Sequence, residues 1–259
     1  MTMYVDTHAH LDMLADPAAA LRAAGEAGVG LICTVVNVLE EPERTFEGLD
    51  QWQAEAGKVP EVYIIVGTHP HAAARTNAAV VERIREYATD PRVIALGEMG
   101  LDYHYDHSPR NVQRKVFAEQ LALATELNLP VCIHLREAHE DGLRILQESG
   151  YPGERAILHC FGCDYETAAP FLELGCYVSF AGPITFKKAD EVRDAAARIP
   201  LDRILTETDC PFLAPEPVRG TKNEPANVRY VAEIIADVRP EPRDEVLCAL
   251  EQNARHIVC

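Results

Sequence analysis

With 259 residues, 47% of them hydrophobic, the chain carries enough apolar material for one substantial core, and a single domain over 1–259 is the first expectation. A formal charge of -17 excludes an overall basic surface and argues against an extended DNA-binding groove. It argues less against a deep site, where divalent ions are the dominant local charges. No run approaches the roughly 20 apolar residues of a membrane helix, and the N-terminus MTMYVDTHAH lacks a charged segment followed by an apolar run. A cytoplasmic chain with no membrane partner is expected.

In chain order, the short runs rich in β-branched or aromatic residues are MYVDTHAH from residue 3, LICTVV from 31, VYIIVG from 62, VIALGE from 93, PVCIH from 130, AILHC from 156, CYVSF from 176 and RILTETD from 203. Segments with helical spacing lie between them, among them PAAALRAAGEAG, NAAVVERIREYA, QRKVFAEQLALATELN, EDGLRILQES and DEVRDAAARI. PANVRYVAEIIADV and RDEVLCALEQNARHI read as closing helices. Strand and helix alternate throughout, which predicts a parallel sheet with right-handed crossovers, and eight such units close into an α/β (β/α)8 TIM barrel. A doubly wound open sheet is the rival, but THAHLDML after the first strand contains no glycine, which removes its dinucleotide-binding version.

The eight cysteines sit mostly inside apolar runs, as reduced, buried thiols do. Cys160 and Cys163 form a C-x-x-C, but no second pair lies at zinc-ribbon spacing.

The chemistry-bearing residues stand at strand ends. His8 and His10, Glu98, His134, His159 and Asp209 each close an otherwise apolar strand, at the rim where barrel enzymes build active sites. Residues two apart on a strand share a face, so His8 and His10 can chelate one ion, with Asp6 one layer deeper. A lone strand-end histidine is more often a hydrogen-bonded core or surface residue than a ligand. A whole cluster of such residues would be costly to bury uncompensated, and a metal supplies the compensation. Imidazoles and carboxylates suit two divalent ions, Mg, Mn or Zn, and Glu98 is placed to bridge them. Glu98 and Asp209 are the candidate catalytic carboxylates, Asp209 orienting or deprotonating water. Glu207, sharing a face with Asp209, is either an acceptor for a ligand histidine or one half of a buried pair with an arginine.

The motifs DTHAHLD (6–12), GTHPH (67–71), GEMGLDYH (97–104), PVCIHLREA (130–138), LHCFGC (158–163), SFAGPITFK (179–187), TETDCPFLAP (206–215) and RGTKNEP (219–225) run in order across nearly the whole chain. They resemble the TatD family of metal-dependent deoxyribonucleases. The resemblance implies a first metal held by His8, His10, Glu98 and Asp209, and a second by Glu98, His134 and His159. It departs at 162 and 163, where the family often reads Ser-Gly and this chain reads Gly-Cys, which alters the loop after the sixth strand.

For substrate, His69, His71, Arg136, Arg219, Lys222 and Asn223 are placed to contact phosphate oxygens, with loop capping or a solvated charge as the ordinary alternative. Tyr103, Phe161 and Phe186 are candidates to stack bases, with core packing the commoner fate. The reading is a nuclease acting on DNA, with RNA as the alternative polymer, that trims single strands from a 3′ end at the barrel mouth. A small-molecule amidohydrolase, esterase or lactonase is the rival. Against it, VIALGE holds no lysine where many such barrels carry a metal-bridging modified lysine. A metal-binding protein without turnover is the third reading. Nothing in the sequence points to a protein partner.

Overall fold

The structure, a computed structural model, describes residues 2–57 and 60–258. Its strands are β1 (Tyr4–Ala9), β2 (Val29–Asn37), β3 (Glu61–Gly67), β4 (Val93–Asp102), β5 (Val131–Arg136), β6 (Ala156–Leu158), β7 (Tyr177–Phe180) and β8 (Ile204–Thr206). All are parallel and lie in sequence order in one eight-stranded sheet. The ring closes where Ala9 pairs in parallel with Cys210 and the Thr206 hydroxyl donates to the Val5 carbonyl at 2.8 Å. The expected (β/α)8 barrel is what the chain forms.

The helices are α1 (Pro17–Glu26), α2 (Glu43–Ala56), α3 (Ala78–Tyr87), α4 (Arg110–Leu127), α5 (His139–Ser149), α6 (Tyr165–Glu173), α7 (Asp190–Arg198), α8 (Val228–Val238) and α9 (Arg243–Val258). Local signals start several of them. The Asp16, Asn77 and Asp164 side chains accept from backbone amides of the first turns of α1, α3 and α6. Two of these helices carry no clear sequence pattern: α2 buries only Thr45, Leu49 and Ala56, and α6 is short with Pro170 inside it.

Two apolar layers hold the barrel. One lies between the strands and the helix ring, with Leu21, Ile64, Leu96, Phe117, Phe171 and Ile235 among its buried members. The other fills the barrel, where Val5, Leu31, Ile65, Ala95, Ile157, Tyr177 and Leu205 pack with Ala254, Ile257 and Val258 from the last turn of α9. That turn plugs the bottom: the Asn253 amide donates to the carbonyls of Leu201 and Ile204 at 2.8 and 2.9 Å, and Arg255 reaches Glu61 at the start of β3. Apolar side chains thus close the bottom of the barrel, which leaves the upper rim for polar residues.

One strand differs from expectation in a way that matters. β4 does not end at Glu98 but runs on to Asp102, with an irregularity in its pairing to β5 between Leu96 and Met99. A bulge bends a strand and re-aims the side chain it carries. Glycine is required on both sides: a Cβ at Gly97 (φ +149°) would stand 2.6 Å from the Cys132 carbonyl oxygen, and one at Gly100 (φ +137°) 2.1 Å from that of His134.

Asn253→Ala strands two carbonyls at the barrel bottom and is expected to cost about 1–3 kcal/mol. Urea unfolding should show a lower midpoint with the slope unchanged. An unchanged midpoint would mean that α9 is not held by this side chain.

Candidate metal centre

The six side chains marked out by the sequence converge at the upper rim, with Glu98 as the hub. Its carboxylate is 3.4 Å from His8 Nε2, 2.7 Å from His134 Nδ1 and 3.2 Å from His159 Nε2. Asp209 Oδ1 stands 3.7 Å from His8 Nε2 and 3.4 Å from His10 Nε2. Backbone bonds across the seam of the barrel fix this side: the Asp209 amide donates to the His8 carbonyl at 2.9 Å and the His10 amide to that of Cys210 at 2.8 Å. The His8 and His10 rings lie 5.1 Å apart, and His159 stacks on His8 at 3.7 Å.

His8 Nε2 is buried with no hydrogen-bond partner, although it faces two carboxylates. Donor atoms 2.0–2.1 Å from a tetrahedral ion stand roughly 3.3 Å from one another. The separations around His8, His10, Glu98 and Asp209 are of that size, so these residues fit a divalent ion. Ligand atoms of His8, His10 and Glu98 form one compact group and those of His69, Glu98 and His134 a second, sharing Glu98.

Electrostatics favour the donor forms of Glu98 and His8. Burial opposes ionisation of Glu98, but the charges of His159 and His69 and hydrogen bonds from His134 and His159 hold it well below the usual carboxylate range. Burial pushes His8 down, and the neighbouring His159 adds to this, so His8 is kept neutral with a lone pair to offer. Burial also works against His159, but the charges of Glu207 and Glu98 outweigh it and raise it well above the usual range.

Around this set stand the buried acids. Glu207 resolves in favour of a histidine partner: its Oε1 is 2.7 Å from His159 Nδ1 and accepts from the Cys160 amide at 2.8 Å. Asp6 takes the Thr208 amide and hydroxyl at 2.8 and 2.6 Å and the His8 amide at 3.3 Å, so it acts on the centre through backbone. Burial raises its carboxyl to about 8 against those hydrogen bonds. Cys160 and Cys163 are thiols rather than a disulfide.

Asp102 is a residue that sequence reasoning missed. It is buried, its Oδ2 lies 2.9 Å from His71 Nε2 and 3.3 Å from His134 Nε2, and its Oδ1 accepts from the amides of His104 and Tyr105. Burial opposes its charge, but these hydrogen bonds prevail and hold the carboxyl below its ordinary range. Two glutamines of α4 fix the backbone alongside: Gln113 bonds both the amide and the carbonyl of Asp102, and Gln120 both those of Thr68, next to His69.

The substrate candidates divide. His69 lies in the centre itself, with Nε2 3.5 Å from Glu98 Oε1. His71 is the neighbour of Asp102. Arg136 is exposed at the end of β5. Except for Lys222, the others are occupied by the fold. Tyr103 is half-buried, its hydroxyl donating to Asp141 at 2.6 Å with the Arg110 guanidinium 4.4 Å over its ring. Phe161 is buried against Phe180 and His139. Asn223 is buried, and its amide donates to the carbonyls of Thr208 and Phe212 at 3.0 and 2.8 Å. Arg219 pairs with Glu216 and lies 4.2 Å over Phe186, and Lys222 is exposed on the same loop. The connections at the rim differ in length: that after β5 is only 137–138, whereas those after β4 (103–109) and β8 (207–227) are longer.

A barrel with imidazoles and carboxylates gathered at its C-terminal rim defines a metal-dependent hydrolase, and the comparisons agree. The family model of TatD-related DNases matches residues 5–258, and the chain belongs to that family. It is 40% identical over 257 residues to the uncharacterized metal-dependent hydrolase YcfH of Escherichia coli (strain K12), covering 96% of this chain and 93% of that one. It is 33% identical over 241 residues to the 3′-5′ ssDNA/RNA exonuclease TatD of Pantoea vagans (strain C9-1), covering 91% and 90%. The crystal structure of YjjV, a TatD homologue from Escherichia coli K12, superposes with a TM-score of 0.90 at 29% identity, covering 98% and 97%. No helix among the described residues is long and apolar enough to cross a membrane.

Asn223→Ala leaves the buried carbonyls of Thr208 and Phe212 without a donor and is expected to cost about 1–3 kcal/mol. Arg219→Ala, an exposed change on the same loop, should stay within about 0.5 kcal/mol of the parent. Denaturant unfolding of the two variants side by side checks the contrast; equal effects would refute the role given to Asn223.

Proposed function

We propose that this chain hydrolyses phosphodiester bonds of nucleic acid, DNA foremost and RNA as the alternative polymer, removing nucleotides from the 3′ end of single strands. The observation that carries the reading is the shared Glu98 carboxylate, with His8, His10 and Asp209 on one side and His134 and His159 on the other. These residues would hold two divalent ions, with His69 close by as a further donor. Membership of the TatD family and the name of the Pantoea relative support the choice of substrate. The thiols at Cys160 and Cys163 agree with a cytoplasmic setting.

When bound, such ions supply an activated water and charge that steadies the attacked phosphoryl oxygens and the leaving oxygen. The chain's own residues do the rest. Asp209 orients the water and accepts its proton; Glu98 fixes the spacing of the two halves; Glu207 sets the orientation of His159. Arg136, exposed just beyond His134, takes a phosphate oxygen. A rim site with few basic residues engages few phosphates, so salt should weaken binding less steeply than in proteins that track a long backbone.

Glu98→Ala should abolish turnover and lose metal occupancy on elemental analysis while circular dichroism stays that of the parent. His8→Ala and His134→Ala should each lose one ion and keep the other. Full occupancy and parental rate in Glu98→Ala would refute the shared site. Asp209→Asn should cut kcat at least 100-fold with a much smaller change in KM; a loss confined to KM would contradict its role.

Direction of attack is read on an oligonucleotide labelled at its 5′ end, with Mg or Mn. A ladder shortening from the 3′ end, suppressed by a 3′ block and absent on a closed circular single strand, is expected. Rapid cutting of the circle would show an endonuclease, and turnover of a lactone or ester with none of the oligonucleotide would move the chain to the small-molecule hydrolases.

A further inference from the structure

The exposed large apolar side chains of this protein are not scattered. Among the described residues, Met13, Tyr105, Phe212 and Leu213 all follow the C-terminal ends of strands, so they stand on the rim around Glu98, with Met3 the one such residue at the bottom. Tyr105, 52% exposed, lies in the connection after β4, and Phe212, 48% exposed, in the connection after β8. Strands four apart in a closed eight-stranded ring are diametrically opposed, so the two rings face the centre from opposite sides.

Neither ring sits on a loose loop. The Tyr105 amide donates to the buried Asp102 at 2.9 Å, and its ring meets His71 edge-on and lies parallel to the His107 ring, each at 5.6 Å. The Phe212 amide donates to the Asp209 carbonyl at 2.9 Å, its carbonyl accepts from the buried Asn223, and its ring stands edge-on to His10 at 6.0 Å. Buried polar side chains thus hold two half-exposed aromatic rings, one against His10 of the centre and one against His71 beside Asp102. Exposing such rings is unfavourable in the free protein and becomes favourable when a flat apolar group covers them.

Charge says what that group is attached to. The Arg136 guanidinium lies 4.8 Å over the Tyr105 ring and, among the described residues, has no carboxylate in ion-pair reach, in a chain with 41 acidic and 24 basic residues. A cation left unpaired beside an exposed ring suits a ligand that joins an anion to an aromatic system.

We infer that Tyr105 and Phe212 form a two-sided base clamp, in which the nucleobases flanking the phosphate at the Glu98 centre stack one on each ring, with Arg136 on an adjoining phosphate. This rests on the nucleic-acid reading above and deepens it: the rings stacking bases are these two, in place of the buried Phe161 and the engaged Tyr103. Stacking on a ring tolerates any base, so the clamp selects for unpaired strands rather than for sequence. A base held in a duplex cannot open its face to either ring.

The test pairs ring removal with base removal. Tyr105→Ala and Phe212→Ala are each expected to raise KM for a single-stranded oligonucleotide about 5- to 100-fold, with the loss falling on KM rather than kcat. On an oligonucleotide whose two 3′-terminal nucleotides are abasic, the same substitutions should add no further loss, and Tyr105→Phe should restore the parental KM. An equal loss on both substrates would show that the rings support the loops instead, and no loss on either would overturn the clamp. Quenching of 2-aminopurine at the 3′ terminus, measured with Ca, separates this from the hydrolysis reading. If the parent quenches it and Tyr105→Ala does not, the clamp stands even where no nucleotide is released; release without quenching leaves hydrolysis standing and removes the clamp.

Discussion

A carboxylate taken out of water needs compensation, and at Glu98 the compensation is a ring of imidazoles. His8, His69, His134 and His159 approach it from β1, from the connection after β3, from β5 and from the end of β6. Breaking one partner of a buried charge costs several kcal/mol, because the other is left alone in a poor solvent. That constraint ties separate strands to one point, and the bulge at Gly97 and Glu98 is the backbone device that lets β4 deliver the group. With the charges of this donor set mutually satisfied or awaiting a cation, an ion is the natural partner of the unbonded His8 Nε2.

The rim depends on a second tier of uncharged contacts. Gln113 and Gln120, two turns apart on α4, grip the backbone of Asp102 and Thr68, so the helix ring reaches through to the strand ends that carry Asp102 and His69. Asn223 does the same for the segment after β8. The apolar plug from α9 closes the opposite end, so the gathered imidazoles and carboxylates stand at the other mouth of the barrel.

The sequence was most legible where periodicity and polarity met. Each strand was an apolar run, and the ligand-type residues stood out because they interrupted or closed those runs; the barrel and the gathering of His8, His10, Glu98, His134, His159 and Asp209 followed from that. α2 was obscure because few of its residues face the core, and α6 because a proline breaks its pattern. Asp102 was hidden for another reason: an acid after Gly100 and Leu101 reads as the start of a loop, and only the strand's continuation past the bulge buries it. Aromatic residues were the least legible. Tyr103 and Tyr105 are two apart in one motif and each has an arginine over its ring, yet the Tyr103 hydroxyl is tied to Asp141 and its side chain half-buried while Tyr105 is about half exposed, a difference set by tertiary contacts alone.

The central claim is that one carboxylate joins two ion sites, and anomalous diffraction from crystals grown with Mn tests it most directly. The account predicts two peaks about 3.5–4 Å apart, both within bonding reach of Glu98, one beside His8, His10 and Asp209 and the other beside His134 and His159. A single peak, or a second one placed at Cys160 and Glu207 away from Glu98, would contradict it.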